Sequence, residues 1–319
     1  MTATFVADAT PWDGGAVSAT VQCIRANNPS AMTYTGTNTW IIADSSHQSF
    51  GPLRQTNTKH DACSCTPSLL SRNAPSASLL PCVIIDPAPA GSHVDTILAT
   101  CKAYHLAVAA IVLTHHHIDH TEGATSLQEK TGANIYARDT SAIPHSLPLP
   151  SGVFCPFEGA PHMSIVDLPG HSPDSIGILL PEEHLLLTGD VIFRHGPTVV
   201  YYPEGHLGSY LATLDVLEDL VCNQGVSRFL PGHGYPIDDP LEIIAATREH
   251  RHKRLTQIQQ ALQQGSPAEA NALYEVVYRD TDPRLKDAAL RSIKAQLQYL
   301  NDNVQAIREG NKDGHNGRI

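Results

Sequence analysis

One stretch of six residues carries dense ligand chemistry, because it contains the pattern His115-x-His117-x-Asp119-His120. Imidazole nitrogens and carboxylate oxygens are the ligands that suit zinc and neighbouring transition metals. Buried together without a metal, these groups would each need a hydrogen-bond partner or would cost free energy. The cluster therefore predicts a metal centre. The side chain of His116 should point away from its ligating neighbours, so we expect a solvated or supporting role for it.

Three further potential ligands follow in separate segments: His171, Asp190 and His233, each directly after a glycine. Glycine lets the backbone turn sharply and approach an ion closely. The predicted metal ligands are thus His115, His117, Asp119, His120, His171, Asp190 and His233. One catalytic zinc takes three protein ligands plus water, so a set of this size predicts two metals that share a carboxylate. Two-metal hydrolases hold their ions ~3.5–4 Å apart.

Each ligand segment follows a short apolar run that predicts the end of a buried strand. These runs are residues 107–113, 165–168, 184–187 and 227–230. A helix is predicted over residues 121–131, directly after the first ligand cluster. Ligands at the carboxyl ends of strands lie where open α/β sheets usually hold their sites.

The ordered set of ligands resembles the signature of metallo-β-lactamase-fold hydrolases, which is HxHxDH followed by separated His, Asp and His. The resemblance covers residues 20–240 and implies an α/β fold, an αββα sandwich with the metals at one sheet edge. It implies that His115, His117 and His171 bind the first metal. Asp119, His120 and His233 would bind the second metal, and Asp190 would bridge the two.

The bridging carboxylate narrows the expected activity. True β-lactamases of this fold lack a bridging carboxylate at the position of Asp190, so antibiotic hydrolysis is not the expected main activity. Hydroxyacylglutathione hydrolases, lactonases and RNA-processing members resemble the full set. The expected cofactor is two Zn²⁺ ions per chain, with manganese or iron as alternatives. The expected enzyme is a hydrolase that uses a metal-bridging hydroxide, with Asp119 orienting it or accepting its proton.

The segment that leaves Asp190 should border the substrate pocket. We expect Arg194, Tyr202 and Tyr210 as substrate contacts, because a tyrosine hydroxyl can donate to an oxyanion and an arginine can hold a carboxylate or phosphate. Ordinary surface or packing roles remain open for each of them.

The amino-acid composition restricts the partners that this protein is expected to bind. The formal net charge is −11, yet residues 241–319 hold 12 Lys+Arg against 10 Asp+Glu, so the acidic excess lies in residues 1–240. That excess disfavours non-specific nucleic-acid binding, which depends on Lys and Arg. No run of 18 apolar residues predicts a membrane span, and no secretory signal is evident, so a cytoplasmic location with reduced cysteines is expected. A homo-oligomer is compatible with the sequence.

We expect a catalytic domain at residues 1–240, with a loop insertion at 44–80, and a helical domain at 241–319. Helices are predicted over 241–265, from Ser266-Pro267 to residue 279, and over 284–308. This tail, the turn at 28–40 and the segment 169–175 resemble the β-lactamase-like protein 2 group, whose C-terminal domain is winged-helix-like.

Two substrate classes follow from the resemblance. The first is single-stranded RNA, since the animal member of the group is associated with its cleavage. The second is a small-molecule ester or thioester, as in thioesterases, lactonases and hydroxyacylglutathione hydrolases. A non-enzymatic interpretation, with structural metals and the tail as an interaction module, is disfavoured because structural zinc sites are closed and usually rich in cysteine.

Overall fold

The structure is a computed structural model that describes residues 12–43, 50, 79–158 and 160–313. Most of the predicted insertion at 44–80 lies outside the described residues. Phe50 is an exception, and its side chain is buried in a hydrophobic core.

The first sheet has seven strands in the order β1-β2-β3-β4-β5-β6-β7. Its strands are β1 (Gly14–Ala16), β2 (Val21–Arg25), β3 (Asn38–Ala43), β4 (Leu80–Ile85), β5 (Leu106–Val112), β6 (Asn134–Ala137) and β7 (Leu147–Pro148). The first four strands pair antiparallel, and β4 to β7 pair parallel. Both β4 and β5 are rich in aliphatic residues, as expected for strands covered on both faces.

The second sheet has five strands in the order β12-β11-β10-β9-β8. Its strands are β8 (Gly152–Phe154), β9 (Met163–Asp167), β10 (Ile176–Leu180), β11 (Leu185–Gly189) and β12 (Arg228–Pro231). Only the pair β11–β12 in this sheet is parallel. Side chains of both sheets, such as Trp40, Ile85 and Ile178, form one core cluster between them.

Helices cover the outer faces of both sheets. They are α1 (Ser92–Ala103), α2 (Ile118–Thr121), α3 (Ala124–Thr131), α4 (Leu207–Gln224), α5 (Pro240–Gln263), α6 (Ala270–Val277) and α7 (Lys286–Asp313). Apolar residues of α1 and α3 share a core cluster with the first sheet. Residues of α4, α5 and α7 share another with the second sheet. The architecture is therefore the predicted αββα sandwich, extended by C-terminal helices.

The C-terminal helices pack both on the sandwich and on each other. Ile243 and Leu255 of α5 lie in the core cluster of the second sheet, while Ile258 of α5 joins Leu273 and Ile293 in a cluster of its own. Within residues 240–313 the structure contains helices and no strand, and the winged-helix-like label stays a prediction. No described helix is both long and apolar enough to span a lipid bilayer.

The predicted helix start at Ser266-Pro267 is wrong, because α6 begins at Ala270. The backbone N–H of Ser266 instead donates to the carbonyl of Ala261 at 3.0 Å, at the C-terminal end of α5. Ser266 therefore satisfies one of the last carbonyls of α5 and does not begin the next helix.

Candidate metal centre

The loops that follow β5, β9, β11 and β12 meet at one edge of the sandwich and bring the seven predicted ligands together. One ligand atom of each of His115, His117 and His171 forms a first cluster. The second cluster consists of Asp119, His120, Asp190 and His233. Within each cluster the ligand atoms lie within 4.8 Å of one another.

The first cluster is composed of imidazoles. Nδ1 of His117 lies 3.0 Å from Nε2 of His115 and 3.0 Å from Nε2 of His171. Burial lowers the pKa of His115 well below its ordinary value, and the nearby His120 lowers it further. Burial also lowers the pKa of His171. Neutral imidazole is the form that binds a metal, so this cluster is ready to accept one.

The second cluster combines imidazoles with carboxylates, and Asp190 lies between the clusters. Oδ1 of Asp190 is 3.1 Å from Nε2 of His120, and Oδ2 is 3.4 Å from Nε2 of His233. The same Oδ2 lies 3.9 Å from Nε2 of His171 in the first cluster. Oδ2 of Asp119 is 3.3 Å from Nε2 of His233. Asp190 thus has the position expected of a bridging carboxylate.

The histidines of the clusters have hydrogen-bond partners for the nitrogen that faces away from the centre. Nδ1 of His120 donates to Asp86 at 2.8 Å, and Nδ1 of His171 donates to the carbonyl of Val199 at 2.7 Å. Nε2 of His117 donates to Glu204 at 2.7 Å. The remaining contacts join Nδ1 of His115 to Thr114 Oγ1 and Nδ1 of His233 to the Gly36 carbonyl, at 3.1 and 3.3 Å. These bonds orient each ring toward the centre.

Three of the inward-facing atoms, in contrast, form no hydrogen bond. Nε2 of His120, Nε2 of His233 and Oδ1 of Asp190 are buried and lack a hydrogen bond of acceptable geometry. Buried polar atoms of this kind are normally satisfied, so the three atoms fit a bound cation. The donor set of imidazoles and carboxylates suits Zn²⁺ and does not discriminate against Mn²⁺ or iron.

The charges of the second cluster support one another. Burial disfavours the charged form of His120, yet Asp190 and Asp86 outweigh it and hold the pKa of His120 well above its ordinary value. Asp190 has the same effect on His233, whose pKa rises from 6.5 to about 9 despite burial. The two histidines in turn hold the pKa of Asp190 well below its usual range. Without a cation, protons on the histidines balance the carboxylates.

Gly232 shows why glycine precedes a ligand here. A Cβ atom at this position would lie 2.5 Å from Oδ1 of Asp190 and 2.6 Å from Cε1 of His120. Any side chain would therefore displace the second cluster, as the glycine argument from the sequence predicted.

Asn38 of the first sheet holds the loop that carries His233 in the second sheet. Its buried side-chain amide donates to the carbonyls of Pro231 and Gly234 at 3.0 and 2.8 Å. Its backbone N–H donates to the carbonyl of Gly232 at 2.7 Å. Three hydrogen bonds from Asn38 therefore connect this loop to the first sheet.

Sequence reasoning missed Asp86, which follows β4 and is buried. Besides His120, its carboxylate accepts hydrogen bonds from the backbone N–H and the hydroxyl of Thr114, at 2.8 and 2.7 Å. Asp86 therefore links strand β4 to the ligand loop after β5. The only sequence signal was an aspartate at the end of a buried strand, which equally predicts a turn.

A cavity of about 620 Å³ opens over the ligands. Asp119 and Asp190 form part of its floor, and its mostly apolar wall comes from three segments. These segments are the turn at 31–34, the loop at 193–201 and the C-terminal helices. The turn at 28–40 thus contributes Ala31, Met32 and Tyr34 to the lining of the cavity.

None of the three predicted substrate contacts lines the cavity. Tyr210 is fully buried, and its hydroxyl donates to the carbonyl of Val191 at 2.8 Å, so its expected contact with substrate is wrong. Arg194 and Tyr202 are absent from the cavity lining, which contains Tyr201 and Phe193 instead. The loop that the sequence placed beside the pocket does line the cavity, but it does so with side chains other than the predicted ones.

His116 and Tyr34 lie beside the metal centre and the cavity, respectively. His116 donates to Asp174 at 2.8 Å and lies 3.2 Å from Glu204, which agrees with a supporting rather than a ligating role. Tyr34, which the sequence analysis did not single out, lines the cavity. Burial, reinforced by Asp190, raises its pKa to about 12, so its hydroxyl keeps its proton at neutral pH.

Comparison with known proteins agrees with this geometry. Residues 81–233, which run from β4 to the last ligand, match the sequence model of the metallo-beta-lactamase superfamily. This chain contains a metallo-β-lactamase superfamily domain. The matched segment includes all seven predicted ligands and strands of both sheets, from β4 to β12.

Curated relatives extend the resemblance. A beta-lactamase-like protein 2 homolog of Caenorhabditis elegans is 29% identical over 216 residues, which cover 66% of this chain and 69% of that protein. An atrochrysone carboxyl ACP thioesterase of Aspergillus fumigatus is 31% identical over 57% of this chain. The match spans 56% of the thioesterase, little more than half of its length.

Solved structures share the fold. A beta-lactamase domain protein from Burkholderia ambifaria superimposes with a TM-score of 0.67 at 19% identity, covering 92% of this chain and 90% of that one. A metallo-beta-lactamase family protein from Thermus thermophilus gives a TM-score of 0.64 at 19% identity, with 90% and 95% covered. At this identity the likeness concerns the fold alone.

Proposed function

We propose that the protein is a dinuclear metal-dependent hydrolase that cleaves an ester or thioester of a small, largely apolar acyl compound. The observation that carries the proposal is the cavity of about 620 Å³, which opens onto Asp119 and Asp190 and has a mostly apolar wall. Concave, apolar cavities with a few convergent polar groups are typical of small-molecule sites.

The seven predicted ligands would hold two ions, Zn²⁺ by preference, with Asp190 between them. Bound ions supply Lewis acidity and an activated water at neutral pH. The chain itself supplies orientation: the outer hydrogen bonds to Asp86, Val199 and Glu204 fix the imidazole rings. The glycine at 232 lets the carboxylate of Asp190 approach the centre.

Two side chains of the cavity are suited to the reaction itself. Asp119 has a side chain that is 28% exposed, so its carboxylate reaches both the second cluster and the cavity and can take up a proton. The protonated hydroxyl of Tyr34 can donate a hydrogen bond to the oxyanion that forms when an acyl carbonyl is attacked. Tyr34 would thus take the role that was expected of Tyr202 or Tyr210.

A thioester is favoured among acyl substrates by two considerations. A curated relative is described as an ACP thioesterase, and apolar walls suit the acyl part of such a compound.

Cleavage of single-stranded RNA is the second candidate, and one surface feature favours it. A polar groove beside the cavity is lined by Lys253, Arg254 and Arg279, which suits a phosphate backbone. The cavity wall also contains aromatic and basic side chains, among them Tyr201, Tyr278 and Arg254, and single strands use such groups. The acidic excess of residues 1–240, however, opposes RNA binding.

A substrate panel tests the proposal. Purified protein is analysed for metal and assayed on an acyl thioester, a lactone, a chromogenic β-lactam and labelled single-stranded RNA. We expect turnover of the thioester or lactone that chelation abolishes and added Zn²⁺ restores. RNA cleavage without acyl turnover would overturn the proposal in favour of the second candidate. Activity that survives complete removal of metal would overturn the metal-dependent mechanism.

A further inference from the structure

Arg251 on α5 is a buried cation without a matching anion. Its side chain is 4% exposed, and its Nε atom has no hydrogen-bond partner. The described contacts of its guanidinium are a hydrogen bond to the carbonyl of Thr198 and the ring of Tyr210, whose centroid lies 5.0 Å from Cζ. Neither group carries a negative charge at neutral pH.

A neighbour on the same helix shows the usual arrangement. Arg248 pairs with Asp215 at 2.7 Å and Glu218 at 2.8 Å. Arg251 forms no ion pair with any carboxylate in the part of the chain that the structure describes. Buried charges in proteins are normally paired, because taking a lone charge out of water is costly. The unpaired charge of Arg251 therefore indicates a binding site for an anion.

The ligand has a place to bind, because Arg251 lines the cavity that opens onto Asp119 and Asp190. Arg254, three residues further along α5, lines the same cavity. Residues three apart lie on one face of a helix. Arg254 is already engaged with the carbonyl of Val277 at 2.6 Å and with the ring of Tyr278 at 4.4 Å. Arg251 is thus the better anchor of the two.

We propose that Arg251 binds an anionic oxygen group, a carboxylate or a phosphate, carried by the substrate at the end opposite its scissile acyl bond. The planar guanidinium matches both groups, which can accept paired hydrogen bonds from it. The inference rests on the proposed acyl hydrolysis and adds a specificity determinant to it: the substrate would be an acyl chain with a negative terminus.

The test uses three thioesters of N-acetylcysteamine with equal chain length. Pentanoyl thioester ends in a methyl group, glutaryl thioester in a carboxylate and phosphonobutanoyl thioester in a phosphonate. With metal-loaded wild-type protein we expect kcat/KM for at least one anionic thioester to exceed that for the pentanoyl thioester about 10- to 100-fold, mainly through KM. The better of the two anionic thioesters identifies the group that the subsite prefers.

Arg251→Met should reduce this preference to about one, and Arg251→Lys should retain part of it because the charge remains. Arg248→Met is the matched control, since it removes an arginine of the same helix that faces the ion pairs outside the cavity. Its ratio of anionic to pentanoyl turnover should equal that of wild type. An equal loss of ratio in the control variant, or a wild-type ratio near one, would overturn the subsite.

A binding measurement separates this inference from the proposed function. Glutarate and propylphosphonate are titrated into wild-type protein and Arg251→Met by calorimetry and thermal shift. Binding that depends on Arg251 in a protein that cleaves no thioester would retain the anion subsite and refute the acyl hydrolysis. Thioester turnover without any preference or Arg251-dependent binding would retain the hydrolysis and refute the subsite.

Discussion

The ligand edge of the sandwich and the helical wall of the cavity differ in how their residues are fixed. At the ligand edge, Asp190 lies 3.1 Å from Nε2 of His120, and Nδ1 of His120 donates to Asp86, so contacts between adjacent loops fix these side chains. The helical wall instead presents side chains such as Arg251 and Ser292 from α5 and α7, far along the chain. In the proposed hydrolase, the edge would hold the reaction centre and the wall would select the substrate.

The largest expected effect concerns the edge. Asp190→Asn keeps the size of the side chain but removes the charge that faces both clusters, so turnover should fall by orders of magnitude. Circular dichroism should show an intact fold, and metal analysis a reduced ion content. Wild-type activity in this variant would refute the bridging role of Asp190.

The second effect is a pH dependence of metal loading. In the metal-free protein His120 and His233 are protonated at neutral pH, the latter with a pKa of about 9. A metal ion binds neutral imidazoles, so metal loading should release protons. Below a pH of about 9, the affinity for the ion should therefore rise about tenfold per pH unit for each proton released. Calorimetry in buffers of different ionisation enthalpy counts the protons.

The same protons have the opposite effect on stability. Because the pKa of His233 is raised from 6.5 to about 9 on folding, its contribution to metal-free stability is complete below pH 6.5. It is lost as the pH rises through about 9. Thermal unfolding should therefore show the metal-free protein weakening over this range while ion affinity increases. Parallel trends would contradict the assignment.

A third prediction examines the support behind the edge. Asp86→Asn should weaken metal binding or activity about 10- to 100-fold, because the ring of His120 loses its carboxylate partner. Asp174→Asn is the matched control: Asp174 supports His116, which is outside the predicted ligand set, so a smaller loss is expected. Equal losses would mean that both carboxylates act through the fold.

The smallest effect concerns the wall. Ala288→Leu adds bulk on α7 inside the cavity and should lower kcat/KM for a long acyl thioester about tenfold relative to acetyl thioester. Lys294→Leu, on an exposed face of the same helix, should leave the ratio unchanged. A uniform loss for all chain lengths would assign the effect to stability rather than to selection.

The two regions also differ in how far the sequence predicts them. The ligand edge is predictable because its residues follow apolar runs and glycines, and the observed strand β5 (Leu106–Val112) overlaps the predicted run at 107–113. Asp86 escaped prediction because its role depends on the pairing of Ile85 with Val112, a contact between distant segments. Such pairings leave no local pattern.

The helical wall was harder to predict from the sequence than the ligand edge. Tyr210 was expected at the pocket because its loop leaves Asp190, but the fold turns its side chain into the core under α5. A charged run such as that at 248–254 is typical of a solvated helix face, yet Arg251 within it is buried. Whether a helical arginine faces solvent or a cavity depends on where the helix docks, and the periodicity of a single helix does not fix that.

The brace that Asn38 forms between the sheets has a consequence for metal supply. Because the amide-to-carbonyl bonds that hold the loop of His233 involve no metal, we expect the loop to keep its position when the ions leave. We then expect the site to be emptied and refilled without refolding. The identity of the resident ions would then follow the relative abundance of zinc, manganese and iron in the cell as much as the protein's own discrimination.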